Sequence, residues 1–144
     1  MPGAPGPVPA PTVMSIPRRI LLADDDLEVR SGVVDLLTGI GLAVLEAENG
    51  LEALAVARSS HVDAALLDLH MPQCTGLEAL PLLRAERAGL PCLVYSGDWT
   101  RTLEEEALAA GAIGILHKPI QPELLRREVL RAVETGLLPP EPNN

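Results

Sequence analysis

Apolar and polar residues follow one another along the chain in blocks that predict a repeating strand–helix order. Short apolar runs that end in a turn or a polar residue predict strands that are buried on both faces. Strands of this kind belong in a parallel sheet with helices on both sides. The five predicted strands cover residues 19–23, 43–47, 62–67, 90–95 and 112–116.

The segments between these runs have apolar residues at intervals of three and four positions, which is the spacing of amphipathic helices. The predicted helices cover residues 27–38, about 50–59, a segment from the loop at 72–76 to about 87, 100–110 and 122 to about 134. Five alternating strands and helices predict an α/β fold, in which one five-stranded parallel sheet is doubly wound by five helices.

The composition indicates a folded domain that does not bind nucleic acid directly. Hydrophobic residues make up 47% of the 144 residues, which is enough to build a core. The net charge of −9 argues against direct binding to nucleic acid. No apolar run reaches the roughly 20 residues of a membrane helix, and no secretion signal is evident. We therefore expect a cytoplasmic protein without membrane insertion, in which Cys74 and Cys92 are free thiols.

The two ends of the chain differ in composition from its middle. Residues 1–17 are rich in proline and cannot form a core, so they are predicted to be a disordered tail. Met14 lies close to the first strand, so translation could start there. Residues 18–136 are predicted to form the domain. Residues 137–144 are predicted to be a C-terminal tail or the stump of a linker.

Polar side chains gather at the ends of four predicted strands. Residues 24–26 are three aspartates after the first strand, Asp68 ends the third, Ser96 follows the fourth and Lys118 follows the fifth. The carboxyl ends of parallel strands lie at one edge of the sheet, where ligands bind in this class of fold. We therefore expect these side chains to form one site.

Residues of these types are suited to phosphoryl chemistry. Carboxylates that repel one another can be held together by Mg²⁺, which prefers oxygen ligands and neutralises the charge of a phosphate. Lys118 is the only lysine beside ten arginines, and its ammonium would bind a phosphate oxygen as a point charge. Ser96 would donate a hydrogen bond to another oxygen. One carboxylate would act as the nucleophile and form an acyl phosphate.

Four segments around this site resemble the motifs of one known family. They are LLADDDLEVR (21–30), ALLDLHMPQCTG (65–76), LVYSGD (93–98) and GILHKPI (114–120). In this order they resemble the acidic pair, the phosphoacceptor motif, the Ser/Thr position and the Lys-Pro motif of bacterial response-regulator receiver domains of the chemotaxis-receiver type. The resemblance spans about residues 18–136, and it implies a flavodoxin-like sheet with the strand order 2-1-3-4-5.

The resemblance implies a role for each residue of the site. Asp68 would accept a phosphoryl group from a sensor histidine kinase or a histidine phosphotransfer protein. Ser96 would be the switch hydroxyl, and Lys118 would contact the phosphoryl oxygens next to a cis Lys118–Pro119 bond. Such a protein catalyses only its own phosphorylation and dephosphorylation, and it is not otherwise an enzyme.

The resemblance also implies the ligands of a Mg²⁺ ion. Asp25 would bind it directly, Asp24 would hold it through water, and Asp68 and the backbone carbonyl of His70 would complete the protein ligands. Asp26 lies outside this set and is interpreted as a solvated loop residue or a helix N-cap.

Three positions need an explanation beyond the family pattern. Ile115 occupies a position that is aromatic in many receivers and turns inward on activation, so the route of switching is open. The His70 side chain lies two residues after Asp68, and we hypothesise that it tunes the lifetime of the acyl phosphate. An exposed histidine without a role is the alternative. Tyr95 precedes Ser96 and is expected to point away from it into the core.

The main hypothesis is a signalling switch of a two-component system or phosphorelay, in which phosphorylation changes which partner binds. The output protein is unknown, and apolar residues on the last helix leave homodimer formation open. One alternative is a phosphatase of the haloacid-dehalogenase type that uses Asp24 and Asp26, although it leaves Asp68 unexplained. Another is a receiver-like binding module that uses no phosphate.

Overall fold

The computed structural model describes residues 16–135, which form five strands and five helices in alternation. The predicted tails, apart from residues 16 and 17, and the alternative start at Met14 lie outside the described residues. The strands are β1 (Arg19–Ala23), β2 (Ala43–Ala47), β3 (Ala64–Asp68), β4 (Cys92–Ser96) and β5 (Gly114–His117). The helices are α1 (Leu27–Thr38), α2 (Gly50–Ser59), α3 (Gly76–Glu86), α4 (Arg101–Ala109) and α5 (Pro122–Thr135).

The five strands are parallel, and their order in the sheet is β2-β1-β3-β4-β5. This confirms the predicted fold and strand order. The chain moves from β1 to one edge of the sheet and then crosses back to β3, which lies on the other side of β1. The connections that follow β1 and β3 therefore leave in opposite directions, and the crevice between them is where such sheets bind ligands.

Alternate residues of each strand face two separate layers of the core. Leu21 and Leu67 pack with apolar residues of α2, α3 and α4 on one face of the sheet. Leu22 and Leu66 pack with apolar residues of α1 and α5 on the other face. Because both faces are covered by helices, the central strands are apolar almost throughout, as the sequence pattern predicted.

The last three strands begin later than the apolar runs predicted. Each of β3, β4 and β5 begins two residues after the predicted start and ends one residue after the predicted end. Val62, Leu90 and Ala112 are buried in the loops that enter these strands, so they resemble strand residues in the sequence although the ladder begins after them. At the other end, the ladder includes Asp68 and Ser96. These two site residues therefore have the fixed backbone of a strand.

Polar caps fix where the helices begin beside this edge of the sheet. Asp26 accepts hydrogen bonds from two amides in the first turn of α1, which confirms its interpretation as an N-cap. Thr75 and Glu78 form a capping box at the start of α3. Gly76 lies so close to the end of β3 that an added Cβ would come within 2.2 Å of the Asp68 carbonyl oxygen. Only a glycine lets α3 begin directly against the end of β3.

Two further predictions concern the membrane and the cysteines. Among residues 16–135, none of the helices is both long and apolar enough to cross a membrane. Cys74 and Cys92 are both free thiols, as expected, and both are buried. Burial raises the pKa of Cys92 to about 12, so this thiol stays protonated near neutral pH.

Candidate functional site

The end of β1 places two aspartates in different surroundings. Asp24 directly follows the strand and is fully buried, whereas Asp25 is exposed. The Asp24 amide donates to the Ala47 carbonyl at 3.0 Å, which extends the pairing of β1 with β2 by one residue. Its carboxylate Oδ1 accepts from the Asp26 amide at 2.9 Å. Backbone groups therefore hold Asp24 in place, while Asp25 faces solvent.

A buried arginine stabilises this turn. Nη1 of Arg30 donates to the Asp24 carbonyl at 2.5 Å, and its Nε donates to the Glu46 carboxylate at 3.0 Å. Nη2 of the same side chain lies 3.7 Å from the Glu48 carboxylate. The sequence assigned no role to the two glutamates, because their link to the site runs through an arginine of another element. In the structure they balance the charge of the side chain that holds the β1 turn.

Asp68, the last residue of β3, lies beside this turn with 3% of its surface exposed. Its Oδ1 accepts from the His70 amide at 3.0 Å, and its Oδ2 accepts from Nζ of Lys118 at 3.0 Å. Burial and the charge of Asp24 raise the pKa of Asp68, against the opposing effect of these two hydrogen bonds. The ionised form of Asp68 is therefore costly in the protein alone, and it would gain from a further cation.

Lys118 lies between the two buried carboxylates. Its Nζ is 3.0 Å from Oδ2 of Asp68 and 3.4 Å from Oδ2 of Asp24. Burial by itself would lower the pKa of Lys118, but the two carboxylates outweigh it and raise the pKa. The Lys118–Pro119 bond is cis, as predicted. The only lysine of the chain is therefore charged and shared by carboxylates from two strands.

Three carboxylates come close enough to share a metal ion. One oxygen from each of Asp24, Asp25 and Asp68 lies within 4.8 Å of the others. Mg²⁺ binds oxygen ligands and is held in proteins by one or two carboxylates together with water and phosphate oxygens. The donor set at this edge of the sheet therefore fits the predicted metal.

Ser96 and His70 lie beside this group. Oγ of Ser96 accepts from the Asp98 amide at 3.1 Å, and the Ser96 carbonyl accepts from the Lys118 amide at 2.9 Å. The imidazole of His70 is exposed, while its amide is the donor to Asp68. The structure thus brings the predicted residues to one edge of the sheet, with the serine oxygen bonded within its own loop.

Tyr95 belongs to this site although the sequence pattern placed it only in the core. It is fully buried among the apolar residues under α1 and α5, as strand alternation predicts. Its hydroxyl nevertheless donates to Oδ2 of Asp24, and its ring centroid lies 4.7 Å from Nζ of Lys118. Burial, together with the hydrogen bond to Asp24, raises the pKa of Tyr95, so the hydroxyl keeps its proton. A long polar-tipped side chain near the end of a central strand was the only signal in the sequence.

An aromatic side chain contacts β5, but it comes from the loop after β4. Nε1 of Trp99 donates to the Leu116 carbonyl at 3.1 Å, and its ring centroid lies 5.4 Å from that of His117. Ile115 is half-buried and packs against the same apolar cluster as Trp99. The loop that carries Ser96 is therefore tied to β5 by an indole hydrogen bond.

Comparison with known proteins identifies the family. The sequence model of the response regulator receiver domain matches residues 20–130, which is most of the chain. The chain belongs to the response regulator receiver family. Receiver domains are signalling modules of two-component systems rather than enzymes in the ordinary sense. Response regulator MprA of Mycobacterium sp. (strain KMS) is 38% identical over 113 residues, which cover 78% of this chain and 49% of that protein.

Solved receiver domains have the same fold as this one. A CheY-like receiver domain protein from Methanospirillum hungatei JF-1 aligns with a TM-score of 0.79 at 26% identity, covering 83% of this chain and 96% of that chain. Chemotaxis protein CheY4 of Vibrio cholerae aligns with a TM-score of 0.76 at 31% identity, covering 81% and 98%. The receiver domain described here spans about half the length of curated relatives such as MprA.

Proposed function

We propose that this receiver domain is a phosphorylatable switch, in which Asp68 accepts a phosphoryl group from a sensor histidine kinase or a histidine phosphotransfer protein. One observation carries the proposal: Nζ of Lys118 joins the carboxylates of Asp68 and Asp24 at the carboxyl edge of the sheet. These groups offer a candidate nucleophile, a second acidic group and a cation at the edge where such sheets bind ligands, which supports the proposal. Membership of the receiver family supports the same role.

In the proposed step, a carboxylate oxygen of Asp68 attacks the phosphorus of a phosphohistidine. The O–P bond forms as the N–P bond breaks, and the imidazole leaves with the bonding electron pair and takes up a proton. Lys118, 3.0 Å from Asp68, would bind an oxygen of the transferred group as a fixed positive charge. The Ser96 hydroxyl would turn from its own loop toward a second oxygen. Water later attacks the acyl phosphate, which releases phosphate and restores the carboxylate.

Asp24, Asp25 and Asp68 are the side chains that would hold Mg²⁺, with the backbone carbonyl of His70 as a further ligand. The close approach of the three carboxylates supports this set. The bound ion would neutralise charge on the carboxylates and on the incoming phosphoryl group. Burial and the like charge of Asp24 raise the pKa of Asp68, so a bound Mg²⁺ would stabilise the ionised form of Asp68.

Phosphorylation would then change which partner binds the domain. Ser96 and Trp99 lie in the same connection between β4 and α4, and Trp99 is hydrogen-bonded to β5. A displacement of Ser96 would therefore move the connection that leads to α4 and contacts β5, even with Ile115 in place of an aromatic residue. The output protein is unknown, a cytoplasmic location stays a prediction, and homodimer formation stays open.

The two alternative functions have less support. A phosphatase of the haloacid-dehalogenase type would use Asp26 as an acid, but this carboxylate caps α1. The family match also places the chain among receivers. A phosphate-independent binding module would need none of the charged groups that surround Asp68. Such a module would have no reason to keep Asp68 and Lys118 in contact in a buried site.

Intact mass of the full chain, after incubation with Mg²⁺ and a small phosphodonor such as acetyl phosphate, tests the proposal. We expect the wild type to gain one phosphoryl group and Asp68→Asn to gain none. Asp63→Asn is the matched control, because Asp63 precedes the first residue of the same strand, at the opposite end of the sheet. A wild type that gains no mass, or an Asp68→Asn variant that gains as much as the wild type, would contradict the assignment.

A further inference from the structure

Tyr95 is a buried residue whose polar group has one partner, and that partner is in the candidate site. The side chain is the only tyrosine of the chain and has 0% of its surface exposed. Its strand position lies directly opposite Asp68 in the ladder between β3 and β4. Its ring packs with Leu22 and Leu66 in the apolar layer under α1 and α5. A phenylalanine would fill the same space without burying a polar group. The hydroxyl of Tyr95 instead requires a hydrogen bond to offset the cost of its burial.

The hydroxyl completes the set of donors around Asp24. Oδ1 of Asp24 accepts from the Asp26 amide at 2.9 Å. Oδ2 accepts from the Tyr95 hydroxyl and from Nζ of Lys118, the latter at 3.4 Å. A carboxylate has about four acceptor positions, so three donors from different directions leave little freedom to rotate. Among them, the tyrosine is the donor that is rigidly packed in the core.

The ring of the same side chain contacts the second charged group. Nζ of Lys118 lies 4.7 Å from the ring centroid, which is within the range of a cation–π interaction. One residue therefore touches both the carboxylate of β1 and the ammonium that follows β5. The two elements are not neighbours in the sheet, since β3 and β4 lie between them.

We propose that Tyr95 is a positioning residue of the phosphoryl-transfer site, in which its hydroxyl orients Asp24 for Mg²⁺ and its ring supports Lys118. The role of Tyr95 in phosphoryl transfer rests on the proposed function. The effect of Tyr95 on the Asp24 carboxylate does not depend on that function. A group that orients a metal ligand without touching the metal changes affinity through that ligand, by about tenfold or more in well-studied sites. Tyr95 acts on Asp24 in this way.

The test is a titration of the full chain with Mg²⁺ by isothermal calorimetry, without a phosphodonor. Tyr95→Phe keeps the ring and removes only the hydroxyl, and we expect it to weaken Mg²⁺ binding by about tenfold. Tyr95→Leu also removes the ring, and we expect a larger loss together with a slower gain of phosphoryl mass at saturating Mg²⁺. Leu93→Val is the matched control, because Leu93 lies on the same strand in the same apolar layer. It should lower the unfolding temperature and leave Mg²⁺ affinity unchanged.

A double-mutant cycle decides whether the hydroxyl acts through Asp24. In an Asp24→Ala background, which has no side-chain acceptor for the Tyr95 hydroxyl, adding Tyr95→Phe should change the Mg²⁺ affinity by less than about twofold. If Tyr95→Phe binds Mg²⁺ as the wild type does and only melts earlier, as Leu93→Val does, the residue merely fills the core and the inference is wrong. A third outcome separates the two proposals. If Tyr95→Phe weakens Mg²⁺ binding but the wild type takes up no phosphoryl group, the positioning of Asp24 is supported and the proposed function fails.

Discussion

Each end of the sheet has a cluster of polar side chains around an aspartate, and the pKa values of these two aspartates, Asp63 and Asp68, are shifted in opposite directions. At the carboxyl end, Asp68 shares Lys118 with a second buried aspartate, and burial together with the charge of Asp24 raises the pKa of Asp68. At the amino end, Asp63 precedes β3. Burial acts to raise its pKa too, but the hydrogen bonds from Arg19 and His61 outweigh it and lower the pKa of Asp63.

The amino-end cluster satisfies its carboxylate with donors alone. Oδ2 of Asp63 accepts from the Arg19 amide at 2.8 Å, and Oδ1 lies 2.8 Å from Nε2 of His61. Nη1 of Arg87 lies 3.3 Å from Nδ1 of the same imidazole, and its Nη2 donates to the Ser60 carbonyl at 2.6 Å. The group joins β1, the start of β3 and the end of α3.

The comparison separates a carboxylate that stabilises the fold from the one that we propose as the phosphoacceptor. Asp63 has two good donors and stabilises the fold as an anion. Asp68 also has two donors, but it is buried and faces the charge of Asp24, so its ionised form is destabilising until a further cation binds. Functional sites often carry groups that cost stability in this way. Hydrogen-bond count does not distinguish the two aspartates, whereas burial next to a like charge does.

The largest expected effect comes from removing the shared cation. Lys118→Met should lower the free energy of unfolding by about 2 kcal/mol without Mg²⁺, because it leaves two buried carboxylates facing each other. The loss is smaller than for a fully buried pair, since 23% of the Lys118 side chain is exposed. Added Mg²⁺ should stabilise Lys118→Met more than it stabilises the wild type. Urea unfolding with and without the ion measures both effects.

Arg87→Met is the control at the amino end. The variant loses hydrogen bonds to carbonyls and to an exposed histidine, so its free energy of unfolding should fall by about 1 kcal/mol. This decrease should not depend on Mg²⁺. Equal Mg²⁺ responses of the two variants would contradict the view that Lys118 offsets carboxylate repulsion.

Neutralising each aspartate should change stability in opposite directions. Asp63→Asn should lower the free energy of unfolding by about 1 kcal/mol, because a charged acceptor of two hydrogen bonds is lost. Asp68→Asn should raise it by about 1 kcal/mol without Mg²⁺, since it removes a repulsion between nearby charges. Urea unfolding near neutral pH measures the pair. Two changes of the same sign would show that the clusters do not differ as described.

The two aspartates should also differ in their pH dependence. The pKa of Asp68 in the folded protein lies above its usual value of 3.8. The ionised carboxylate therefore destabilises the fold at pH values above the raised pKa, and this destabilisation is relieved as the pH falls through the raised pKa. The pKa of Asp63 in the fold lies below 3.8, so its stabilisation is present above 3.8 and is lost as the pH falls through the lowered pKa.

Unfolding free energies measured without Mg²⁺ between about pH 7 and about pH 4 test this difference. The advantage of Asp68→Asn over the wild type should shrink across this range, while the deficit of Asp63→Asn should persist. An advantage of Asp68→Asn that stays constant down to the acid end would mean that the carboxyl group titrates normally.

The smallest expected effect concerns the two exposed histidines near these clusters. If the His70 imidazole tunes the lifetime of the acyl phosphate, His70→Ala should change the rate of phosphate loss by about threefold, equivalent to about 0.7 kcal/mol in the barrier. His61→Ala, at the other end of the sheet, should leave that rate unchanged. Phosphoprotein decay followed by intact mass measures the rates. The same decay in wild type and His70→Ala would leave the histidine without a role.

Much of this fold follows from local patterns in the chain. All five strands and five helices were predicted in the right order, because buried parallel strands need continuous apolar runs and surface helices need periodic ones. The starts of β3, β4 and β5 were predicted two residues early, because Val62, Leu90 and Ala112 are apolar and buried without belonging to the ladder. Burial and strand pairing usually coincide, but only pairing defines the strand.

By itself, the sequence determined which residues gather at the carboxyl edge, since strand ends and their polar residues are local features that a parallel sheet must bring together. Only the tertiary structure decided how those residues are held. The hydroxyl of Tyr95 on Asp24, the brace of Arg30 with Glu46, and the bond from Trp99 to β5 join elements that are distant in sequence. Such contacts depend on register and side-chain length across the sheet, and no local pattern in the chain encodes them.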